Sequence, residues 1–127
     1  MPRFADRLLL EALLVVPLAR VAVALLPFRV VHRMVDAAMR RRGKASQVPR
    51  ERIAATVARV ARGVPGASCL TQVVAAALLS ARYGHEATLR LGVTRQDDRV
   101  AAHAWLESEG RVILGEPEPG TFVMLGQ

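Results

Sequence analysis

The hydrophobic period of this chain changes once, at Gly84, and that change constrains its fold more than any other feature. Before it, apolar residues run together or recur three and four apart, as helices require. After it, Ala87, Leu89, Leu91 and Val93 alternate with Thr88, Arg90 and Gly92, as expected of a strand with one buried face. Helices followed by a small antiparallel sheet predict an α+β fold. With 127 residues, 52% of them hydrophobic, the chain can build one ordinary domain core.

The helical half divides at Pro and Gly. From Leu8 to Phe28 the sequence is almost continuously apolar, but Glu11 and Arg20 interrupt it and Pro17 and Pro27 punctuate it, which predicts two short buried or interfacial helices rather than a spanning one. Phe28, Val31, Val35, Ala38 and Met39 then mark an amphipathic helix to Arg42, with Arg29, Arg33 and Arg40 on its other side. That helix either packs on the protein body with a solvated basic face or docks on a membrane or partner. After the polar break at 43–48, Pro49 suits a first helical turn, and Ile53, Val57 and Val60 share one face until Gly63. The turn Val64-Pro65-Gly66-Ala67 leads into Ser68-Cys69-Leu70-Thr71-Gln72 and an apolar run that stops at Tyr83-Gly84. Apolar residues surround this last helix on most sides, so it belongs at the centre of the fold. By composition the chain splits into an apolar and basic N-terminal helical region, 1–45, and a core, 46–127.

In the second half, Thr94 to Arg99 reads as a polar loop, Val100–Ser108 and Arg111–Gly115 flank a two-residue turn at Glu109-Gly110, and Thr121–Leu125 adds a last strand.

The formal charge of +7 is concentrated between Arg29 and Arg62, where ten Lys/Arg face Asp36 and Glu51. Such a stretch attracts anionic lipid, nucleic acid or an acidic partner. With 4% aromatic residues there is no base-stacking platform, which argues against nucleic acid. One cysteine excludes an internal disulfide and a multi-cysteine zinc site, and no Ala-x-Ala-like cleavage signal is present, so a reducing, cytoplasmic location is expected. No glycine-rich phosphate loop or metal-ligand spacing appears, and no metal or cofactor is expected.

Cys69 and His103 carry the chemistry. A thiol is only a few per cent ionised at neutral pH, and an imidazole or a helix N-terminus is needed to stabilise the thiolate. With Ser68 as N-cap, Cys69 lies in the first turn among unpaired N–H groups, which can also receive the oxyanion formed when a carbonyl is attacked. The bland alternative is a small buried cysteine and a hydrogen-bonded strand histidine. A third group would hold the imidazole in one tautomer. If Ser108 faces Arg111 and Leu106 faces Ile113, the hairpin register sets Glu116 opposite His103, with Glu107 on the same strand as the fallback. His32, in a basic helix, and His85, after Gly84, are expected at the surface.

These residues resemble a known family, the stand-alone transglutaminase-like leader peptidases of lasso peptide biosynthesis. The likeness rests on Leu25-Leu26-Pro27-Phe28-Arg29, on Cys69-Leu70 ahead of an Ala/Leu-rich helix, on Leu91-Gly92-Val93, and above all on Ala102-His103-Ala104-Trp105-Leu106-Glu107 with Gly110-Arg111-Val112 behind it. The resemblance implies a papain-like, transglutaminase-like core with the nucleophile helix packed on a small antiparallel sheet. It further implies a cysteine peptidase that removes the leader from a ribosomally made precursor, Cys69 being nucleophile and His103 base. A separate leader-binding protein would recognise the substrate, and an ATP-dependent lasso cyclase would take the product. Where the family pattern has Asp after the hairpin, this chain has Gly115-Glu116, leaving Glu116 as substitute or a Cys/His dyad. Acyl transfer to an amine would use the same pair, whereas a membrane-associated adaptor would need neither.

Overall fold

The computed structural model describes residues 4–44, 46–96, 99–115 and 123–125. Four helices, α1 (Phe4–Leu25), α2 (Phe28–Arg40), α3 (Arg50–Ala61) and α4 (Cys69–Arg82), precede four strands, β1 (Thr88–Gln96), β2 (Arg99–Ser108), β3 (Arg111–Leu114) and β4 (Val123–Leu125). The strands form one antiparallel sheet in the order β3-β2-β1-β4. The α+β class read from the period change is what the chain adopts.

Helix α4 is the centre, and its ends show why. Ser68 has extended backbone angles and its hydroxyl accepts the Thr71 N–H at 3.2 Å, so a side chain satisfies one of the orphan donors of the first turn. At the other end Gly84, at φ +81°, lets the His85 N–H reach the Ser80 carbonyl at 2.8 Å and its own N–H reach Ala81 at 3.0 Å, a Schellman closure. The linker after α2 adds the Gly43 N–H to Ala81 and the Ser46 N–H to Tyr83. Between these caps Val73, Ala75, Ala76, Ala77 and Leu79 are fully buried. They join Ile53 and Val57 of α3, Val31 and Val35 of α2, and Leu89, Ala104 and Leu106 of the sheet in one core cluster.

The N-terminal segment departs from expectation: α1 is one continuous helix through Pro17, not two short ones. Proline leaves the carbonyl four residues back without its donor. Here Pro17 and Leu13 both lie on the exposed side, so the freed carbonyl need not be buried. The inner stripe of α1, Leu8, Ala12, Val16 and Ala19, joins the core. Glu11 fastens it to the end of α4, accepting from the Tyr83 hydroxyl at 2.8 Å and pairing with Arg82 and with Arg7. Burial, then the hydrogen bond to Glu11, pushes the Tyr83 phenol up from 10.0 to about 12. Outside, Leu10, Leu14, Leu18 and Leu25 are 60–76% exposed.

Two details of the sheet also differ. The polar stretch from Thr94 forms ladder instead of loop: β1 and β2 pair from Thr88↔Glu107 to Gln96↔Arg99. Polar residues satisfy a ladder as well as apolar ones, because its bonds are made by backbone. The Glu109-Gly110 turn is as expected, both residues having positive φ (53° and 77°) as a type I′ turn requires. Ser108 pairs with Arg111, but the ladder then shifts between Leu106 and Glu107, so Glu107 faces Val112 and Leu106 faces Leu114, not Ile113. Ile113 is the additional residue of a β-bulge.

Candidate active site

The first turn of α4 presents Cys69 at the surface, and its thiol donates to the Ala104 carbonyl oxygen at 3.0 Å. Ala104 immediately follows His103 in β2, so the helix start is held against the strand that carries the imidazole. Strand alternation puts Ala104 and Leu106 on the face that joins the core cluster and His103, Trp105 and Glu107 on the other, where Trp105 is itself buried. The sulfur is not confined to either face. It lies where β3 has ended and the chain turns at Gly115, beside a carbonyl that points along the sheet plane. His103, half-buried, is the chain neighbour of the residue whose carbonyl holds the thiol.

Gly115 is the residue that sequence reasoning missed. Its φ is +72°, and a Cβ there would stand 2.6 Å from the Ala104 oxygen, 3.2 Å from the Cys69 sulfur and 3.3 Å from the Trp105 Cα. A side chain would collide with backbone and crowd the Cys69 thiol. The only signal in the sequence was a glycine at the end of a strand. Gly66, three residues before Cys69, is comparable: at φ +78° it packs under the Arg20 guanidinium, whose Nε would lie 2.6 Å from a Cβ there. Helix α1 thus touches the loop that leads into Cys69.

The remaining candidates are placed as follows. An unbroken ladder sets Glu116 opposite His103, but the bulge displaces that register by one residue, and Glu116 itself lies outside the described residues. The Glu107 carboxylate accepts from Trp105 Nε1 at 3.0 Å and from Arg90 Nε at 3.2 Å, so the fallback carboxylate has other partners. His32 pairs with Asp36 at 3.2 Å on α2. His85 is buried, against expectation. The left-handed turn at Gly84 directs it inward, where its Nε2–H donates to the Val48 carbonyl. Among the described residues no cluster of His, Cys, Asp or Glu could hold a metal ion.

A cysteine at the capped start of a central helix, set on a strand of sequence Ala-His-Ala-Trp, is an arrangement suited to thiol-dependent acyl chemistry. The family described as the transglutaminase-like superfamily matches residues 12–125. The chain belongs to the transglutaminase-like superfamily. This superfamily includes cysteine peptidases and acyltransferases, both of which pass through an acyl group on sulfur. The match begins within α1 and ends at β4, so it takes in residues 12–25 of the apolar first helix. No curated protein and no solved structure matches the chain.

Proposed function

We propose that this transglutaminase-like protein is a cysteine peptidase that removes the leader from a ribosomally made lasso precursor peptide, with Cys69 as nucleophile and His103 as base. The observation that carries the reading is the seating of the Cys69 thiol against the backbone next to His103, at the N-terminus of a capped helix. The lasso assignment is supported by the resemblance of Ala102–Glu107 and of Cys69-Leu70 to that family.

In the reaction, Cys69 Sγ leaves the Ala104 oxygen and gives its proton to the imidazole, which must come within about 2.6–3.2 Å. The thiolate attacks the scissile carbonyl carbon, and the carbonyl π pair moves to oxygen. The first intrahelical bond of α4 runs from Gln72 to Ser68, and the Ser68 hydroxyl takes Thr71. The N–H groups of Cys69 and Leu70 are therefore positioned to receive the oxyanion. Collapse breaks the C–N bond, and the imidazolium protonates the leaving amine. Water, deprotonated by His103, then cleaves the thioester to carboxylate and thiol. A separate leader-binding protein delivers the substrate, and Glu116 is the candidate for orienting the imidazole.

The test is incubation of the full chain with a candidate precursor and its leader-binding protein, read by mass spectrometry. Wild type should release the leader, and Cys69→Ala and His103→Ala should not. Cleavage by Cys69→Ala sinks the proposal. An amide adduct formed in preference to hydrolysis when a primary amine is added assigns acyl transfer instead.

A further inference from the structure

We infer that the outer face of α1, together with the basic flank of α2, docks this protein on an anionic lipid surface, α1 lying in the plane of the interface rather than crossing it. This surface is independent of the catalytic reading.

The apolar half of the argument is the stripe Leu10, Leu14, Leu18, Val21 and Leu25, spaced three and four apart and 53–76% exposed. The segment Arg7–Leu25 is long and apolar enough to cross a bilayer, yet only 22% of it is buried in the protein. A helix that is apolar all round needs an apolar medium on every side, and the fold supplies it on one side only. Contiguous apolar patches of more than a few hundred Å² are uncommon on soluble proteins without a function. The stripe continues into a groove of about 200 Å³ between α1, α2 and α4, lined by Leu18, Ala22, Met34 and Leu78 among others, which has the apolar character to take part of an acyl chain.

Crossing is disfavoured by the inner stripe. Leu8, Ala12, Val16 and Ala19 are 0–3% exposed in the core, and Glu11 is held by Tyr83 and Arg82. Withdrawing α1 to span a membrane would strip all of these contacts. A helix with one face on its protein and the other in the headgroup and acyl boundary keeps them.

Charge chooses the lipid. Arg29, Arg33, Arg40, Arg41, Arg42 and Lys44 are all exposed, and Asp36 is the only acid between Arg29 and Lys44. Arg29 lies three residues beyond the exposed Leu25-Leu26 corner. Arg33 immediately precedes the groove-lining Met34, and Arg41 caps the end of α2 seven residues after it, both exposed. Cations flanking an aliphatic stripe complement anionic headgroups over acyl chains. The stripe has no Trp, Tyr or Arg of the kind that dominates protein–protein hot spots.

Flotation of the full chain with vesicles of phosphatidylcholine, alone or mixed with phosphatidylglycerol, tests this. Binding is expected on the anionic vesicles, falling as salt is raised, and weak on the neutral ones. Each exposed cation near the surface contributes roughly fivefold, so Arg33→Gln with Arg41→Gln should weaken binding roughly 25-fold. Leu14→Asp or Leu18→Asp should each weaken it at least about tenfold. Both leucines are exposed, so the variants should keep the wild-type circular dichroism and melting temperature. Absence of flotation, or flotation equal on both vesicles and insensitive to salt, overturns the inference. So does a wild type that ignores vesicles while Leu14→Asp abolishes self-association or binding to a leader-binding protein, because the face then belongs to a protein partner.

Discussion

Helices α1 and α4 are both predominantly apolar, and they meet opposite fates. Nine of the fourteen residues of α4 are buried, its first turn is capped by Ser68, and its last is closed through Gly84. Helix α1 is longer and more apolar, yet it gives one stripe to the core and leaves large leucines in contact with water. What separates them is position: α4 has helices on one side and the sheet on the other, whereas nothing among the described residues covers the outside of α1. Hydrophobicity alone does not make a core helix; the presence of neighbours on both sides does.

The sharpest way to break that contrast is to remove a methyl-rich side chain from each helix. Leu79→Ala, at a fully buried position of α4, should cost about 2–5 kcal/mol and lower the urea midpoint correspondingly. If Leu14→Ala costs as much, the distinction fails. Next in size is Gly115→Ala: forcing a side chain into left-handed backbone costs about 1–2 kcal/mol before the contact with the Ala104 oxygen counts. It should also unseat the thiol, and alkylation by iodoacetamide should be faster than in wild type. Ser68→Ala removes the α4 cap and should cost about 1 kcal/mol in chemical denaturation.

The junction between the two helices is read by pH. The folded chain keeps the Tyr83 proton up to about 12, while the unfolded chain releases it from 10.0. Stability should therefore fall as pH rises through that window, and Tyr83→Phe should flatten the fall. Smallest of all, Leu14→Ala should change stability by less than about 0.5 kcal/mol in the absence of lipid, because the side chain is 69% exposed.

Much of this was legible in the residues. The cap at Ser68, the stop at Gly84, the face of α3 and the Glu109-Gly110 turn each depend on local chemistry, and local chemistry is what a sequence displays. The misreadings have a common origin in tertiary context. Pro17 looked like a break, but it is tolerated where the unpaired carbonyl faces outward. His85 looked exposed until the turn at Gly84 aimed it at Val48. The bulge at Ile113 was invisible because Val112, Ile113 and Leu114 are all apolar and mark neither face. That single extra residue is also what displaces the register on which the pairing of Glu116 with His103 depends. At the candidate site the thiol and the histidine strand were readable, and the contribution of Gly115 was not, since a missing Cβ matters only once its neighbours are known.

The bond from Cys69 to Ala104 has a mechanical corollary. A carbonyl oxygen can hold a protonated sulfur but repels an anionic one, so loss of the proton turns an attractive seat into an ejecting one. In the proposed reaction, arming Cys69 and releasing it toward an acyl carbon become one event. A disulfide-forming reagent should thus trap the sulfur swung outward, and a neutral isostere such as Cys69→Ser should stay docked on the strand.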